Sequence, residues 1–199
     1  MSQFRNLVFE GGGVKGIAYA GALEFLDQRG DILPEIRRVA GTSAGAITAA
    51  ILALGAGSLE IEEIVGGTDF RKFMDDSFGL VRDTQRLLNS YGWYKGDAFS
   101  QWMRKQVYAL SGFPDLTLRE LRDQAQAEPA GRKELYVIGT NLSMQIPEVL
   151  SHETYPDMPV WKAVRISMSI PLFFAAVFEY AGVWVDGGLT WNYPLDMFD

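Results

Sequence analysis

One serine lies two residues from a glycine on either side, and this spacing points to chemistry. Residues 41–45 read Gly41-Thr-Ser43-Ala-Gly45 and match the motif G-x-S-x-G. In this motif a sharp strand-to-helix turn leaves no room for side chains beside the serine, whose hydroxyl is exposed as a nucleophile. The N-terminus of the following helix favours negative charge on an oxyanion. A chance match at an ordinary tight turn is the alternative, but the motif together with its context favours Ser43 as a nucleophile.

A glycine-rich loop precedes this serine and permits two interpretations. Its sequence, Gly11-Gly12-Gly13-Val-Lys15-Gly16, matches the dinucleotide-binding motif G-x-G-x-x-G between a strand and a helix. That motif is expected with an acidic residue at the end of the second strand, whereas here the second predicted strand ends in Val-Ala-Gly. The other interpretation is an oxyanion hole, in which the three glycine amides bind a carbonyl oxygen and Lys15 adds positive charge. The G-x-S-x-G serine that follows favours the oxyanion hole.

Two residues are candidates for the base that activates Ser43. Asp186-Gly187-Gly188 follows the last predicted strand, where an aspartate can approach another segment of backbone. An aspartate with a pKa near about 4 is a weak base for a hydroxyl, so Asp186 needs burial and direct hydrogen bonding to serve. A solvent-exposed β-turn is the alternative for this motif. His152 is the chain's only histidine, and its polar surroundings indicate a surface residue.

The elements that must position these groups alternate between strand and helix. Two strand-helix pairs come first, at residues 6–10 and 14–29, then at 37–40 and 44–54. This order is typical of a parallel α/β sheet. The later elements are a helix that starts at a Thr117 capping box, a strand at 135–140, a helix at 160–167 and a hairpin at 177–186.

The length of 199 residues predicts one domain, residues 1–199, without an internal repeat. Within it the composition shifts at residues 70–113, which hold ten of the 25 aromatic residues. Core packing is the ordinary interpretation of such a region. Beside a lipolytic site, the same region is expected to serve as an acyl-chain wall or a lid.

The composition excludes several classes of function. Lys and Arg number 18 against 25 Asp and Glu, and this net charge of −7 argues against a nucleic-acid partner and against purely electrostatic docking on anionic lipid. The absence of cysteine excludes disulfides, thiol catalysis and thiolate metal sites. The N-terminus lacks the pattern of a signal peptide, and the longest apolar stretch, 170–178, is far shorter than the ~20 residues that cross a bilayer. We expect a cytoplasmic protein or one peripheral at a membrane, with export that needs no classical signal left open.

Taken in order, the three motifs resemble those of the patatin-like phospholipase family. That family has a G-G-G-x-[K/R]-G loop, a G-x-S-x-G elbow and a D-G-[G/A] motif, which correspond to residues 11–16, 41–45 and 186–188. Residues 163–171 are also similar to the stretch that precedes the last motif in the family. The resemblance covers nearly the whole chain and implies a three-layer α/β/α fold with a mainly parallel central sheet. Family domains often continue beyond the point where this chain ends, so it is either a compact member or one truncated at its C-terminus.

The resemblance implies a Ser-Asp dyad that hydrolyses fatty-acyl esters of phospholipids or related lipids. Ser43 is then the nucleophile, and Asp186 is the base for the serine and later for the deacylating water. The implied oxyanion hole consists of Gly11, Gly12 and Gly13 with Lys15. The glycines that support the motifs are Gly16, Gly41, Gly45, Gly187 and Gly188. No metal or organic cofactor is implied, and the expected partner is a lipid ester met at a membrane surface. Three alternatives remain open: a lipid acyltransferase on the same dyad, a catalytically silent lipid-binding protein and a nucleotide-binding protein.

Overall fold

Two sheets form the framework of the computed structural model, which describes residues 4–74 and 92–199. The strands are β1 (Asn6–Phe9), β2 (Arg38–Thr42), β3 (Gly92–Tyr94), β4 (Glu134–Asn141), β5 (Ile146–Leu150), β6 (Leu172–Phe174), β7 (Val177–Glu179) and β8 (Gly182–Asp186). β3 and β6 pair in a small parallel sheet, and the other six strands form the main sheet.

Six α-helices lie within the described ranges. They are α1 (Ala18–Arg29), α2 (Ala44–Ala53), α3 (Ser58–Ile61), α4 (Asp97–Ser111), α5 (Leu118–Ala127) and α6 (Val160–Ser167). α2 is the centre of the packing, because every one of its ten residues is buried. Its alanines and glycine allow it to lie close against β2, while Ile47 and Ile51 fill the core around it. None of the helices in residues 4–74 and 92–199 is long and apolar enough to span a bilayer.

The central strand β4 holds two different strands along one of its edges. β2 pairs with Glu134–Ile138 in parallel, and β8 pairs with Gly139–Asn141 in the antiparallel direction. β5 pairs with residues 137–141 and therefore occupies the opposite edge. β2 and β8 thus meet end to end, with Thr42 opposite Ile138 and Asp186 opposite Gly139. The register of β4 brings the ends of the two strands that carry the predicted catalytic motifs to one point.

The predicted α/β class is confirmed, and the main sheet is mixed. Pairing is parallel between β1 and β2 and between β2 and β4, and it is antiparallel where β4 meets β5 and β8 and where β7 meets β8. Short turns join β4 to β5 and β7 to β8, and a tight turn can join only antiparallel neighbours, whereas β8 reaches β4 through a long connection. The predicted hairpin at 177–186 is confirmed, and its turn residues Tyr180 and Ala181 both have positive φ, as a two-residue hairpin turn requires.

Other local predictions are confirmed with shifted boundaries. The segment 14–29 begins as a 3₁₀ turn, Gly13–Ile17, and becomes α-helical only at Ala18. The capping box at Thr117 is present, with Glu120 as its partner. In the aromatic region 70–113, α4 belongs to the core, since Phe99 is fully buried. Residues 75–91 of that region lie outside the described residues, so the lid interpretation stays a prediction.

Candidate active site

Ser43 lies at the turn between β2 and α2 in a backbone conformation that few residues adopt. Its φ is 54° and its ψ is −124°, a sparsely populated region that costs about 1–3 kcal/mol for a residue with a side chain. Such strain persists only where the surrounding structure fixes the backbone. Ser43 is 6% exposed and lines a surface cavity of about 340 Å³. The turn therefore presents the hydroxyl to that cavity, as the motif predicts.

The two glycines of the motif are required by close backbone packing. A Cβ atom on Gly41 would overlap the Gly45 carbonyl group, and a Cβ atom on Gly45 would lie 2.6 Å from the Glu10 carbonyl oxygen and closer still to Phe9. Real Cβ atoms essentially never approach backbone so closely. The first turn of α2 consequently lies against the ends of both β1 and β2, directly behind the serine.

Asp186 is buried at the end of β8, on the same cavity as Ser43. Its residue surface is 5% exposed. Oδ1 accepts a hydrogen bond of 2.7 Å from the Gly188 amide, while Oδ2 is buried and receives no hydrogen bond of good geometry from the described residues. Burial raises the pKa of Asp186 to about 6, against the opposing effects of Ser43 and the Gly188 amide. The raised pKa makes the carboxylate a better base than an ordinary aspartate.

The Ser43 hydroxyl lies between two acceptors. Its oxygen is 3.6 Å from Met168 Sδ, and it is near enough to Asp186 to lower the pKa of that carboxyl group. A thioether is a weak acceptor, so a rotation about the Cα–Cβ bond of Ser43 that favours the carboxylate loses little. Catalytic hydrogen bonds are often long before substrate binds. Ser43 and the free oxygen of Asp186 are therefore the candidates for a proton-transfer pair at this cavity.

The glycine loop lies against the same cavity and offers two free amides. Gly12 and Gly13 find no acceptor for their N–H groups among the described residues, whereas the Gly11 N–H donates to the Asn192 carbonyl at 3.1 Å. The Asn192 side chain also donates to the Gly11 carbonyl at 3.0 Å. Gly11 therefore anchors the loop, and Gly12 and Gly13 supply the donors for an oxyanion. Lys15 is exposed on the 3₁₀ turn that follows.

The remaining predicted glycines allow close contacts between the segments of the site. Gly16 packs against α2, because a Cβ atom there would lie 3.0 Å from Ala44 Cβ. Gly187 passes so close to the Ile138 carbonyl that no side chain fits. A Cβ atom on Gly188 would lie 2.9 Å from Asp186 Oδ1. The Asp-Gly-Gly segment is thus held against β4 with its carboxylate facing Ser43.

A second, apolar cavity adjoins the one that contains Ser43. It measures about 350 Å³ and shares Gly13 and Ile170 with the first cavity. Its walls are mostly aromatic and aliphatic side chains from four segments: Val14, Ala44, Phe70, Phe73, Met74, Met168, Phe173 and Phe174. Both cavities are within the usual size of small-molecule sites, about 300–1,000 Å³. An acyl chain attached at Ser43 has an apolar space beside it.

His152 lies outside this constellation. Its ring packs edge-on against Tyr136, its Nε2 is 3.8 Å from a Glu153 carboxylate oxygen, and it lines neither cavity. The prediction that it is a surface residue is wrong, because its side chain is only 13% exposed where it packs against Tyr136. Within residues 4–74 and 92–199, no three or more His, Asp and Glu side chains are grouped in a way that could hold a metal ion.

Sequence reasoning missed the residues that accept hydrogen bonds from the backbone amides of Ser43 and Asp186. The Ser43 amide donates to Ser167 Oγ at 2.8 Å, and the Asp186 amide donates to the Ser169 carbonyl at 2.9 Å. Asn192, which anchors the glycine loop, was also missed. The only signal in the sequence is the pair of serines in segment 163–171, which is otherwise apolar except for Arg165.

The buried Asp186 predicts a pH-dependent stability. Because its pKa rises from 3.8 to about 6 on folding, the folded chain holds the proton more tightly, so the free energy of unfolding falls as pH rises through this window. At about 1.36 kcal/mol per pKa unit, the loss amounts to about 3 kcal/mol. We expect Asp186→Asn to abolish this fall and to be the more stable protein at pH 8. Urea unfolding between pH 4 and pH 8 measures it.

Asp157→Asn is the matched control for this measurement. The Asp157 side chain is 87% exposed, so its removal leaves the pH profile of the wild type unchanged. Identical pH profiles for wild type and Asp186→Asn would contradict the assignment of the raised pKa to this carboxyl group.

A strained serine at a strand-to-helix turn, beside a buried aspartate on an α/β sheet, is typical of α/β hydrolases with a nucleophile elbow. The family model described as Patatin-like phospholipase matches residues 7–199. The chain belongs to the patatin-like phospholipase family, as the sequence resemblance predicts.

Individual relatives agree with this assignment. The chain is 37% identical to the uncharacterized protein YqhO of Bacillus subtilis (strain 168), over 96% of this chain and 65% of that protein. It is 24% identical to the probable lipid hydrolase 463L of Invertebrate iridescent virus 6, over 98% of this chain and 63% of that protein. The chain thus spans less than two thirds of the length of these relatives. Among solved structures, VipD from Legionella pneumophila matches with a TM-score of 0.71 and 23% identity, over 94% of this chain and 46% of that one, which confirms the fold.

Proposed function

We propose that the chain hydrolyses fatty-acyl esters of phospholipids or related lipids through an acyl-enzyme on Ser43. The observation that carries the proposal is the placement of a strained serine and a buried, half-satisfied aspartate on one cavity, beside an apolar cavity of about 350 Å³. A relative of the chain is named a probable lipid hydrolase, which supports a lipid as the substrate class.

The first half of the proposed reaction forms the acyl-enzyme. Ser43 Oγ attacks the ester carbonyl carbon while its proton passes to Asp186 Oδ2. The carbonyl oxygen becomes an oxyanion, which the amides of Gly12 and Gly13 stabilise together with the N-terminus of α2. When the tetrahedral intermediate collapses, the bond to the alcohol breaks, and the departing oxygen takes the proton from Asp186.

The second half releases the fatty acid. Asp186, again ionised, removes a proton from a water molecule that attacks the acyl carbon. The same two amides hold the second oxyanion. Collapse of this intermediate returns the proton to Ser43 Oγ and frees the carboxylic acid. The raised pKa of Asp186 serves both halves, since the group must accept and return a proton near neutral pH.

Exposed apolar side chains next to the cavities suit a substrate that is drawn from a lipid surface. Val14, Leu172 and Leu189 are 76%, 65% and 56% exposed, and each lies in or next to a cavity wall. We infer transient contact of this rim with membranes. Cosedimentation of the Ser43→Ala protein with phosphatidylcholine vesicles tests it, and a protein that stays in the supernatant would contradict it.

The proposed reaction is tested without knowing the true substrate. A fluorophosphonate is expected to add to the wild-type protein once, at Ser43, as determined by intact mass and peptide mapping. Incubation with phosphatidylcholine vesicles, with and without added lysolipid, then separates hydrolysis from acyl transfer by the products formed. A folded protein that takes no label and releases no fatty acid would refute the proposal.

The apolar cavity predicts a dependence on acyl-chain length. Ile170 borders both cavities, so Ile170→Trp is expected to block the passage from Ser43 to the apolar one. If four methylene groups lose their burial, at about 0.8 kcal/mol each, kcat/KM for long chains falls about 200-fold while that for acetate changes little. A series of p-nitrophenyl esters from acetate to laurate measures the effect.

Ile146→Trp supplies the matched control for chain length. Ile146 is 42% exposed on β5 and lines neither cavity. Its chain-length profile is expected to match the wild type. An unchanged profile in Ile170→Trp would show that the acyl chain does not use this cavity.

A further inference from the structure

The backbone at Ser43 lies where the two half-edges of β4 meet. β2 ends at Thr42, opposite Ile138, and β8 ends at Asp186, opposite Gly139. Ser43 is therefore the first residue beyond the β2–β4 ladder, and its buried N–H group needs an acceptor outside that ladder. The strained φ of Ser43 makes the direction of this N–H group decisive for the position of the hydroxyl.

One buried hydroxyl group, that of Ser167, accepts this hydrogen bond. Ser167 Oγ accepts the Ser43 N–H at 2.8 Å and donates to the Ile138 carbonyl at 2.6 Å. Ser167 is fully buried, so no water competes for either hydrogen bond. Because both partners are backbone groups, the hydroxyl proton must point to Ile138 and a lone pair must point to Ser43. The bridge ties the nucleophile's backbone to the central strand.

The residues that follow Ser167 also contact the dyad. Met168 Sδ is 3.6 Å from the Ser43 hydroxyl oxygen, and the Ser169 carbonyl accepts the Asp186 N–H at 2.9 Å. The end of α6 thus contacts both members of the dyad through three consecutive residues. A shift of this segment would move Ser43 and Asp186 relative to each other.

We propose that Ser167 is a positioning residue of the active site, which holds Ser43 in its strained conformation and sets the distance from its hydroxyl to Asp186. This inference rests on the proposed function for its effect on catalysis. Its structural part, the hold on the Ser43 amide, does not depend on that function. Ser167 touches neither substrate nor reacting atoms, so it acts only through Ser43.

A buried serine elsewhere in the chain separates positioning from ordinary stabilisation. Ser151 is 1% exposed and accepts a hydrogen bond from the Glu153 amide at 3.2 Å, so its chemistry matches that of Ser167. It follows β5 and lines neither cavity. Ser151→Ala therefore removes a comparable hydroxyl without touching the dyad.

The test compares Ser167→Ala, Ser167→Cys and Ser151→Ala in the full chain. Misplacement of a reacting group by about 1 Å can cost about 100-fold, so we expect Ser167→Ala to lower kcat and the rate of fluorophosphonate labelling by about 10- to 100-fold, with little change in KM. Ser167→Cys, which keeps the shape but weakens both hydrogen bonds, is expected to lie between it and the wild type. It also covers the case in which Ser167→Ala fails to fold. Ser151→Ala is expected to label at the wild-type rate.

Amide hydrogen exchange at Ser43 provides a second measurement that needs no activity. Exchange is expected to be slow in the wild type and in Ser151→Ala, and faster in both Ser167 variants. If the wild-type protein neither takes label nor cleaves esters, the proposed function fails while exchange still reports on the hold at Ser43. Unchanged exchange at Ser43 in the Ser167 variants would overturn the positioning role. So would labelling that falls equally in Ser151→Ala.

Discussion

Replacing Ser43 with alanine is expected to abolish ester hydrolysis and fluorophosphonate labelling together. The alanine variant has no atom that can form the acyl-enzyme, so only the binding of ester and the amides of Gly12 and Gly13 remain to assist direct attack by water. Removal of a serine nucleophile lowers kcat on the order of 10⁶-fold in a well-studied protease, and a loss of that size is expected here. Release of fatty acid and intact mass after labelling measure the two effects.

Asp186→Asn is expected to lose almost as much activity while remaining folded. Asparagine keeps the shape and still accepts the Gly188 N–H, but it cannot take the proton of Ser43. We expect kcat and the labelling rate to fall on the order of 10⁴-fold, the size seen when a triad aspartate is replaced by asparagine. The greater stability of this variant at pH 8, predicted above, shows that the loss does not arise from unfolding.

Asp157→Asn and Ser151→Ala are the controls, since both residues lie outside the two cavities. Both are expected to react at the wild-type rate. Full activity of Asp186→Asn would show that another group activates Ser43. If the Ser43→Ala protein were labelled at a different serine, that serine would be the nucleophile instead of Ser43.

The second large effect is expected on stability, from alanine at Gly45. The added Cβ atom would lie 2.6 Å from the Glu10 carbonyl oxygen and nearer still to Phe9, and neither is the end of a flexible side chain. Backbone must therefore move where α2 packs on β1, in the most buried part of the fold. Overpacking of a core costs about 1–3 kcal/mol. Because backbone must also move here, we expect Gly45→Ala to lower the free energy of unfolding by about 3 kcal/mol or more. Urea unfolding at constant pH measures the free energy.

Gly21→Ala is the matched control for Gly45→Ala. Gly21 lies in the middle of α1, where an added Cβ atom meets no other atom within 4 Å. Alanine in a helix is favoured over glycine by about 0.5–1 kcal/mol, so this variant is expected to be more stable than the wild type. Equal stabilities for the two variants would contradict the close packing behind the elbow.

The sequence was sufficient to predict the parts of the site that depend on local conformation. A G-x-S-x-G turn needs glycines within two residues of the serine, and Asp186 is followed directly by the glycines that let it approach β4. The hairpin of β7 and β8 is also local, because its turn lies between adjacent strands. In each case the physical requirement and the residues that meet it are neighbours in the chain.

The missed features depend on contacts between distant segments. Ser43 and Ser167 are 124 positions apart, and Gly11 and Asn192 are 181 apart, so no periodic pattern links them. The same holds for the meeting of β2 and β8, which depends on how both strands pair with β4. The hydrogen bond from the Gly11 amide to the Asn192 carbonyl could not be predicted for the same reason.

Because β2 and β8 pair along the same edge of β4, that strand sets the distance between Ser43 and Asp186. Neither Ser43 nor Asp186 belongs to β4, yet each is placed by counting residues along it, from Ile138 on one side and Gly139 on the other. One residue of a strand spans about 3.3 Å and reverses the face to which its side chain points. An insertion between these two adjacent positions, or the deletion of either one, is therefore expected to move Ser43 away from Asp186 even if every motif residue is retained. The spacing within β4, which carries no catalytic group, is as much a requirement of the site as the motifs themselves.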